Sequence, residues 1–149
     1  MSVEMNVFLR ADRLPTAQQW ADAIIAAGFD AQLDPSVQLT THTGYLPCRY
    51  GGKDSGFEYY RDDLEDVELD PEITEGVGDR DTVVSFVSHG DLRELTCAII
   101  AAAVLTQLAD GMYWDTEGDE LYPAEGAVRQ AREVEQDLLR ELKAAVLRN

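Results

Sequence analysis

Residues 81–121 of the chain read DTVVSFVSHGDLRELTCAIIAAAVLTQLADGMYWDTEGDEL. The apolar run at 82–87 predicts a buried strand, and residues 88–91 carry the signals of a turn. The following segment is so apolar between Leu95 and Leu105 that a helix there must be largely buried. Gly111 ends this helix, and residues 112–115 predict a short second strand. The stretch therefore predicts a strand–helix–strand unit that forms the core of the fold.

The first half of the chain has a similar order of elements. Residues 5–9 predict a mostly buried strand, and Thr16 with Gln19 forms the capping-box pattern of a helix start. Gly28 supplies the left-handed residue that ends this helix, after which residues 29–33 predict a returning strand. Three further extended segments are predicted at 37–42, 44–50 and 57–60, the last two as a hairpin across a glycine-rich turn.

Together these elements predict an α+β protein with a ferredoxin-like, split βαβ plan. In that plan the sheet is mostly antiparallel, the helices pack on one face, and strands 5–9 and 82–87 are adjacent and central. The C-terminal segment adds an extra helix, because its apolar residues recur every three or four positions. A chain of 149 residues with this pattern predicts a single domain, 1–149, with an acidic, partly mobile connection at about 61–81.

The formal net charge of the chain is −17, and it is unevenly distributed. Residues 54–81 carry 12 acids and 2 bases. A field of this sign repels phosphates and anionic lipids, which disfavours binding to nucleic acid or to a membrane surface, and it attracts basic proteins. The alternative is that the acids only keep the protein soluble.

Other features bear on compartment and cofactors. Cys48 and Cys97 are far apart, fit no zinc pattern and predict free thiols, which favours a cytoplasmic location. The N-terminus lacks the pattern of a signal peptide, and no segment is long and apolar enough to predict a membrane span. No nucleotide-binding, metalloprotease or hydrolase motif occurs, so the sequence predicts no cofactor, no metal and no catalytic residue.

Aromatic residues lie beside two acidic segments, residues 54–81 and 115–120. Tyr and Trp are common anchors of protein interfaces, where charge steers association. The sequence therefore predicts a binding surface for a basic protein. Its candidate residues are Tyr59, Tyr60, Asp62, Asp63, Glu65, Asp66, Trp114, Asp115 and Glu117.

Two alternatives remain open. The first is a small-ligand or metal-binding protein, or an enzyme. Its site would include His89 and Asp91, where a predicted strand meets a helix N-terminus. Asp115 and Glu117 could assist at this site by binding a metal ion. The second is a homo-oligomer that pairs through an edge strand or through the last helix. In composition the chain is similar to small acidic bacterial immunity and inhibitor proteins, and this likeness implies a non-enzymatic module that binds a partner.

Overall fold

The unit predicted from residues 81–121 organises the structure, a computed structural model that describes residues 2–116 and 120–148, with side chains to residue 144. Strand β5 (Thr82–Ser88) leads through a turn into helix α3 (Leu92–Leu108), and strand β6 (Met112–Asp115) follows. β1 (Val3–Leu9) lies between β5 and β6 and pairs with both in antiparallel orientation. β5 and β6 therefore run parallel to each other, one strand apart.

The described residues form one seven-stranded antiparallel sheet with the order β2-β3-β4-β5-β1-β6-β7. The adjacent and central positions predicted for β1 and β5 are confirmed. The predicted hairpin of β3 and β4 is also present. The remaining strands are β2 (Ala31–Leu33), β3 (Gly44–Tyr50), β4 (Gly56–Asp63) and β7 (Glu120–Pro123).

Four helices pack on this sheet, but they do not share one face. Side chains alternate along a strand, so Val7 enters the main core while Phe8 points to the opposite side. Helices α1 (Ala17–Ala26), α3 and α4 (Ala124–Arg148) contribute to the main core. Helix α2 (Pro71–Val77) instead buries Ile73 and Val77 against Phe8 on the other side. The prediction that the helices pack on one face is therefore wrong for α2. The α+β class is confirmed, and the ferredoxin-like plan stays a prediction.

Local signals place the helix starts correctly. Thr16 and Gln19 form the predicted capping box, in which each side chain accepts the other residue's backbone N–H. The carboxylate of Asp91 accepts the N–H groups of Arg93 and Glu94 and caps α3. Asp91 therefore satisfies donors that the first helical turn leaves free.

Residues 37–42 do not form the strand that their alternation predicts. The N–H groups of Thr41 and His42 both bond to the carbonyl of Gln38, which closes a turn. Leu39 is buried, and its carbonyl accepts a hydrogen bond of 2.8 Å from the Tyr59 hydroxyl. The strand prediction fails because Leu39 is buried as a single residue of a turn, and one buried residue between polar neighbours gives the same sequence pattern as a half-buried strand.

The two cysteines are buried free thiols, as predicted. Cys97 Sγ lies 3.5 Å from the carbonyl oxygen of Cys48, to which it donates. No helix in the described part of the chain combines the length and the apolar character that crossing a membrane requires.

Candidate functional site

The acidic connection predicted at about 61–81 is anchored on the sheet by its own apolar side chains. Between β4 and α2, Leu64 lies in a short 3-10 turn, and Val67 and Leu69 follow it. These three half-buried side chains pack against the cluster that Ile73 and Val77 form with the sheet. These three side chains therefore face the protein, and the acids between them are exposed to solvent.

Eight carboxylates of this segment form what we term the acidic face. All eight are exposed, and none takes part in an ion pair within the residues that the structure describes. The two bases nearby donate hydrogen bonds to backbone carbonyls: Arg61 to that of Thr40, and Arg80 to those of Val77 and Asp110. The acidic face consists of Asp62, Asp63, Glu65, Asp66, Glu68, Asp70, Glu72 and Glu75.

The sheet surface on the side of α2 is covered at one end and accessible at the other. α2 covers the row that contains Phe8 and Val83, which pair across β1 and β5. The next two rows carry Tyr60 beside Ser85 and Glu58 beside Val87, all partly exposed. We term these two rows, with the neighbouring Tyr45 that is 55% exposed and pairs with Glu58, the open sheet face.

Glu58 connects two candidate sites that are separate in the sequence. One of its carboxylate oxygens accepts a hydrogen bond from the Tyr60 hydroxyl, and the other contacts Nε2 of His89. The bond to Glu58 raises the pKa of the Tyr60 hydroxyl, because the phenolate would face a carboxylate. Tyr60 and His89 therefore belong to one polar cluster on the open sheet face.

The predicted binding residues divide between surface and core. Asp62, Asp63, Glu65 and Asp66 lie together on the acidic face, and Tyr60 lies on the adjoining open sheet face. Trp114 is half-buried on the same side of the sheet, with its ring 6.1 Å from that of Phe8.

Two of the predicted residues lie elsewhere, and a third cannot be placed. Tyr59 is fully buried in the main core, so it is not on this surface. Asp115 follows Trp114 by one residue, and strand alternation places it on the helix-covered side. Glu117 lies outside the described residues.

At the alternative site of His89 and Asp91, the described residues do not form a set of metal ligands. Within residues 2–116 and 120–148, no group of three or more His, Cys, Asp or Glu side chains converges as metal ligands would. Asp91 is occupied as the cap of α3, and Glu94 accepts the N–H of His89. The residues around the turn therefore stabilise the helix start.

Sequence reasoning missed Glu58 and Tyr45 as parts of this surface. Glu58 is in phase with Tyr60 and Asp62 along β4, so a period of two could have placed it on the same face. Tyr45 could be placed only from the pairing of β3 with β4, because its partner in the sheet is Glu58. Comparison of the chain with protein-family models, with curated proteins and with solved structures finds no match.

Proposed function

We propose that this protein is a non-enzymatic interaction module, of the immunity or inhibitor kind, that binds a basic protein. The binding surface in this proposal is the acidic face together with the open sheet face. The observation that carries the proposal is that a segment anchored on the sheet by its apolar residues displays eight exposed carboxylates, none of which forms an ion pair with a described residue. Acids that a fold holds in place without a partner of their own are available to an external one.

The chemistry of the two faces supports this assignment. A cluster of like charges accelerates the encounter with a partner of opposite sign, and the rate falls as salt screens the field. Tyr45 and Tyr60 add aromatic side chains with polar ends, which are common at the centres of protein interfaces. Charge would therefore attract the partner, and the tyrosines would contribute to its retention.

Affinity capture from the native host with the purified protein as bait tests the proposal. Three neutralising substitutions, Glu65→Gln, Asp66→Asn and Glu68→Gln, are compared with a matched triple change on α4, Glu125→Gln, Glu133→Gln and Glu141→Gln. All six side chains are exposed, so neither set disturbs the core. Mass spectrometry identifies the basic protein retained by the wild type.

We expect the acidic-face variant to bind that protein roughly tenfold more weakly, as three modest charge interactions are lost. The α4 variant should bind as the wild type does. Raising the salt from about 0.01 M to about 1 M should abolish the difference between the variants, because the Debye length falls from about 30 Å to about 3 Å. Equal retention by both variants, or binding that is unaffected by salt, would contradict the proposal.

A second candidate function is recognition of a small ligand at His89, and the contact of His89 with Glu58 favours it. Nuclear magnetic resonance would follow the imidazole signals of His89 during titration with small metabolites. Shifts that vanish in Glu58→Gln would support this function. Shifts that are the same in both proteins would place the ligand elsewhere.

The third candidate, a homo-oligomer, remains a proposal supported by the two outer strands of the sheet, β2 and β7.

At the level of the fold, we also propose that β4, β5, β1 and β6, with α1 and α3, form a ferredoxin-like core. The order β4-β5-β1-β6 and the antiparallel pairing support it. In that plan β2, β3 and β7 extend the sheet at its two edges.

A further inference from the structure

A groove on the helix-covered side of the molecule has a chemistry unlike that of the acidic face. It has a volume of about 500 Å³ and lies between the β3–β4 turn, the start of α3 and the C-terminal half of α4. Its apolar wall is formed by Tyr50, Leu139 and Leu142. Small-molecule sites in proteins have this size and this largely apolar lining, with a few polar groups that orient the ligand.

Three cations surround this apolar wall. Lys53 comes from the β3–β4 turn, Arg93 from the first turn of α3, and Lys143 from α4. Lys53 and Lys143 are the only two lysines in the chain. Three independent segments thus bring both lysines and an arginine to one groove in a protein of net charge −17.

The charges of these cations are not paired with acids in the described part of the chain. None of the three takes part in an ion pair within the described residues. Two acids close to the groove have other partners: Glu135 accepts a hydrogen bond of 2.7 Å from the Tyr50 hydroxyl, and Asp54 pairs with Arg49. The groove therefore offers positive charge to a ligand.

We propose that this groove binds a small amphiphile that has an apolar chain and a single anionic head, such as a fatty-acid carboxylate. The chain lies along Tyr50, Leu139 and Leu142, and the head is held by Lys53, Arg93 and Lys143. The guanidinium of Arg93 is suited to a carboxylate or a phosphate, both of which accept two parallel hydrogen bonds. The overall field of the protein repels anions, so a local group of cations is what allows an anion to bind.

The size of the groove favours a small molecule over a protein segment. A stable protein interface buries about 800 Å² on each partner, which exceeds what the six described side chains around a groove of this volume can offer. The site is also independent of the acidic face, because the two share no residue and the segment that carries the acidic face is anchored on the other side of the sheet. The two proposals can therefore fail separately.

Calorimetric titration of the full chain with four twelve-carbon probes below their micellar concentrations tests the proposal. The probes are dodecanoate, dodecyl phosphate, uncharged dodecanol and cationic dodecyltrimethylammonium. We expect one site that binds both anions, binds dodecanol more weakly and does not bind the cation. Tighter binding of dodecanoate than of dodecyl phosphate would identify a carboxylate as the preferred head, and the reverse order a phosphate ester.

Two double variants locate the site. Lys53→Gln with Lys143→Gln removes the lysine charges from exposed positions, and Arg129→Gln with Arg140→Gln removes the same charge from exposed positions of α4 outside the groove. We expect the first pair to weaken both anions roughly tenfold and to leave dodecanol unchanged. The second pair should have no effect.

A change in the wall tests the apolar half of the site. Leu142→Gln should weaken all ligands, dodecanol included, because it replaces apolar contact area in the half-buried wall. A rise in Tm with dodecanoate shows that the ligand binds the folded protein and does not unfold it. Equal binding of the cationic and the anionic probes would overturn the proposal. An equal affinity for dodecanoate in the Lys53→Gln/Lys143→Gln variant and the Arg129→Gln/Arg140→Gln variant would do so too.

Discussion

Tyr59 and Tyr60 are neighbours in β4 with opposite environments. Tyr59 is fully buried and donates to the carbonyl of Leu39, whereas Tyr60 lies on the open sheet face and donates to Glu58. Burial raises the pKa of Tyr59 to about 12, because the phenolate would lose its hydration in the core. The alternation of a strand is enough to give one tyrosine a structural role and to leave the next available to a partner.

Replacement of Tyr59 by Phe tests this assignment. We expect the free energy of unfolding at pH 7 to fall by about 1–3 kcal/mol, since the carbonyl of Leu39 loses its partner. The raised pKa stabilises the wild type fully below the unfolded value of about 10, and this contribution is lost as the pH rises towards 12.

The difference between the two proteins should therefore shrink by about 1 kcal/mol at about pH 11. Denaturant unfolding at both pH values measures it. Tyr45→Phe, at an exposed position, is the control and should change stability by less than about 0.5 kcal/mol. A constant difference between the wild type and Tyr59→Phe across this range would contradict the assignment.

Helix α2 is the element that the sequence did not predict, although its signals are present. Pro71 occupies its first turn, and Ile73 and Val77 are four residues apart on its buried face. Gly76 and Gly78 weigh against a helix, because glycine disfavours helical interiors. Tertiary contact compensates: Ile73 and Val77 pack against Phe8 and Val83, and the sequence does not specify that contact.

Elements with strong local signals were predictable, and elements that depend on distant contacts were not. The cap of α1 and the apolar run of β5 are encoded within a few residues, and both are found. The open sheet face depends on the register that places Glu58 beside Val87 and Tyr45. The groove depends on segments near residues 50, 93 and 140, and their meeting leaves no local pattern.

Hydrogen exchange tests the anchoring of α2 and the predicted partial mobility of the acidic connection. A helix of seven residues is too short to be stable alone, so its amides depend on Ile73 and Val77. We expect amides at 64–78 to exchange faster than those of β5 and α3, and Ile73→Ala to accelerate them further. Thr16→Ala, which weakens the cap of α1 by about 1 kcal/mol, is the control and should leave this region unchanged. Equal protection of α2 and β5 would contradict the prediction.

At the scale of the molecule, α4 crosses the sheet from edge strand β7 to β3. Its 25 residues span about 37 Å, and seven strands span roughly 29 Å. It starts after edge strand β7, and further along Arg132 donates to the carbonyl of Ala27 and Glu135 bonds to Tyr50 of β3. The shape of the groove at the far end of α4 therefore depends on how the whole helix packs on the protein. The position of the acidic face depends instead on the packing of α2.

In a protein of net charge −17, acids that stabilise the fold can be distinguished from acids that are available for binding by their effect on stability. Acids that serve the fold have partners in it, as Asp81 does with the N–H of Ala11, and their removal lowers stability. The acidic face has no ion-pair partners in the described structure, so its carboxylates repel one another.

The triple change Glu65→Gln, Asp66→Asn and Glu68→Gln should therefore raise the Tm by a few degrees at about 0.01 M salt, and the gain should disappear at about 1 M. Asp81→Asn, which weakens a partnered acid, should lower the Tm at both salt concentrations, and thermal unfolding followed by circular dichroism measures all three proteins. A triple variant less stable than the wild type would mean that these carboxylates serve the fold, whereas a more stable variant that no longer captures the basic partner would separate binding from folding.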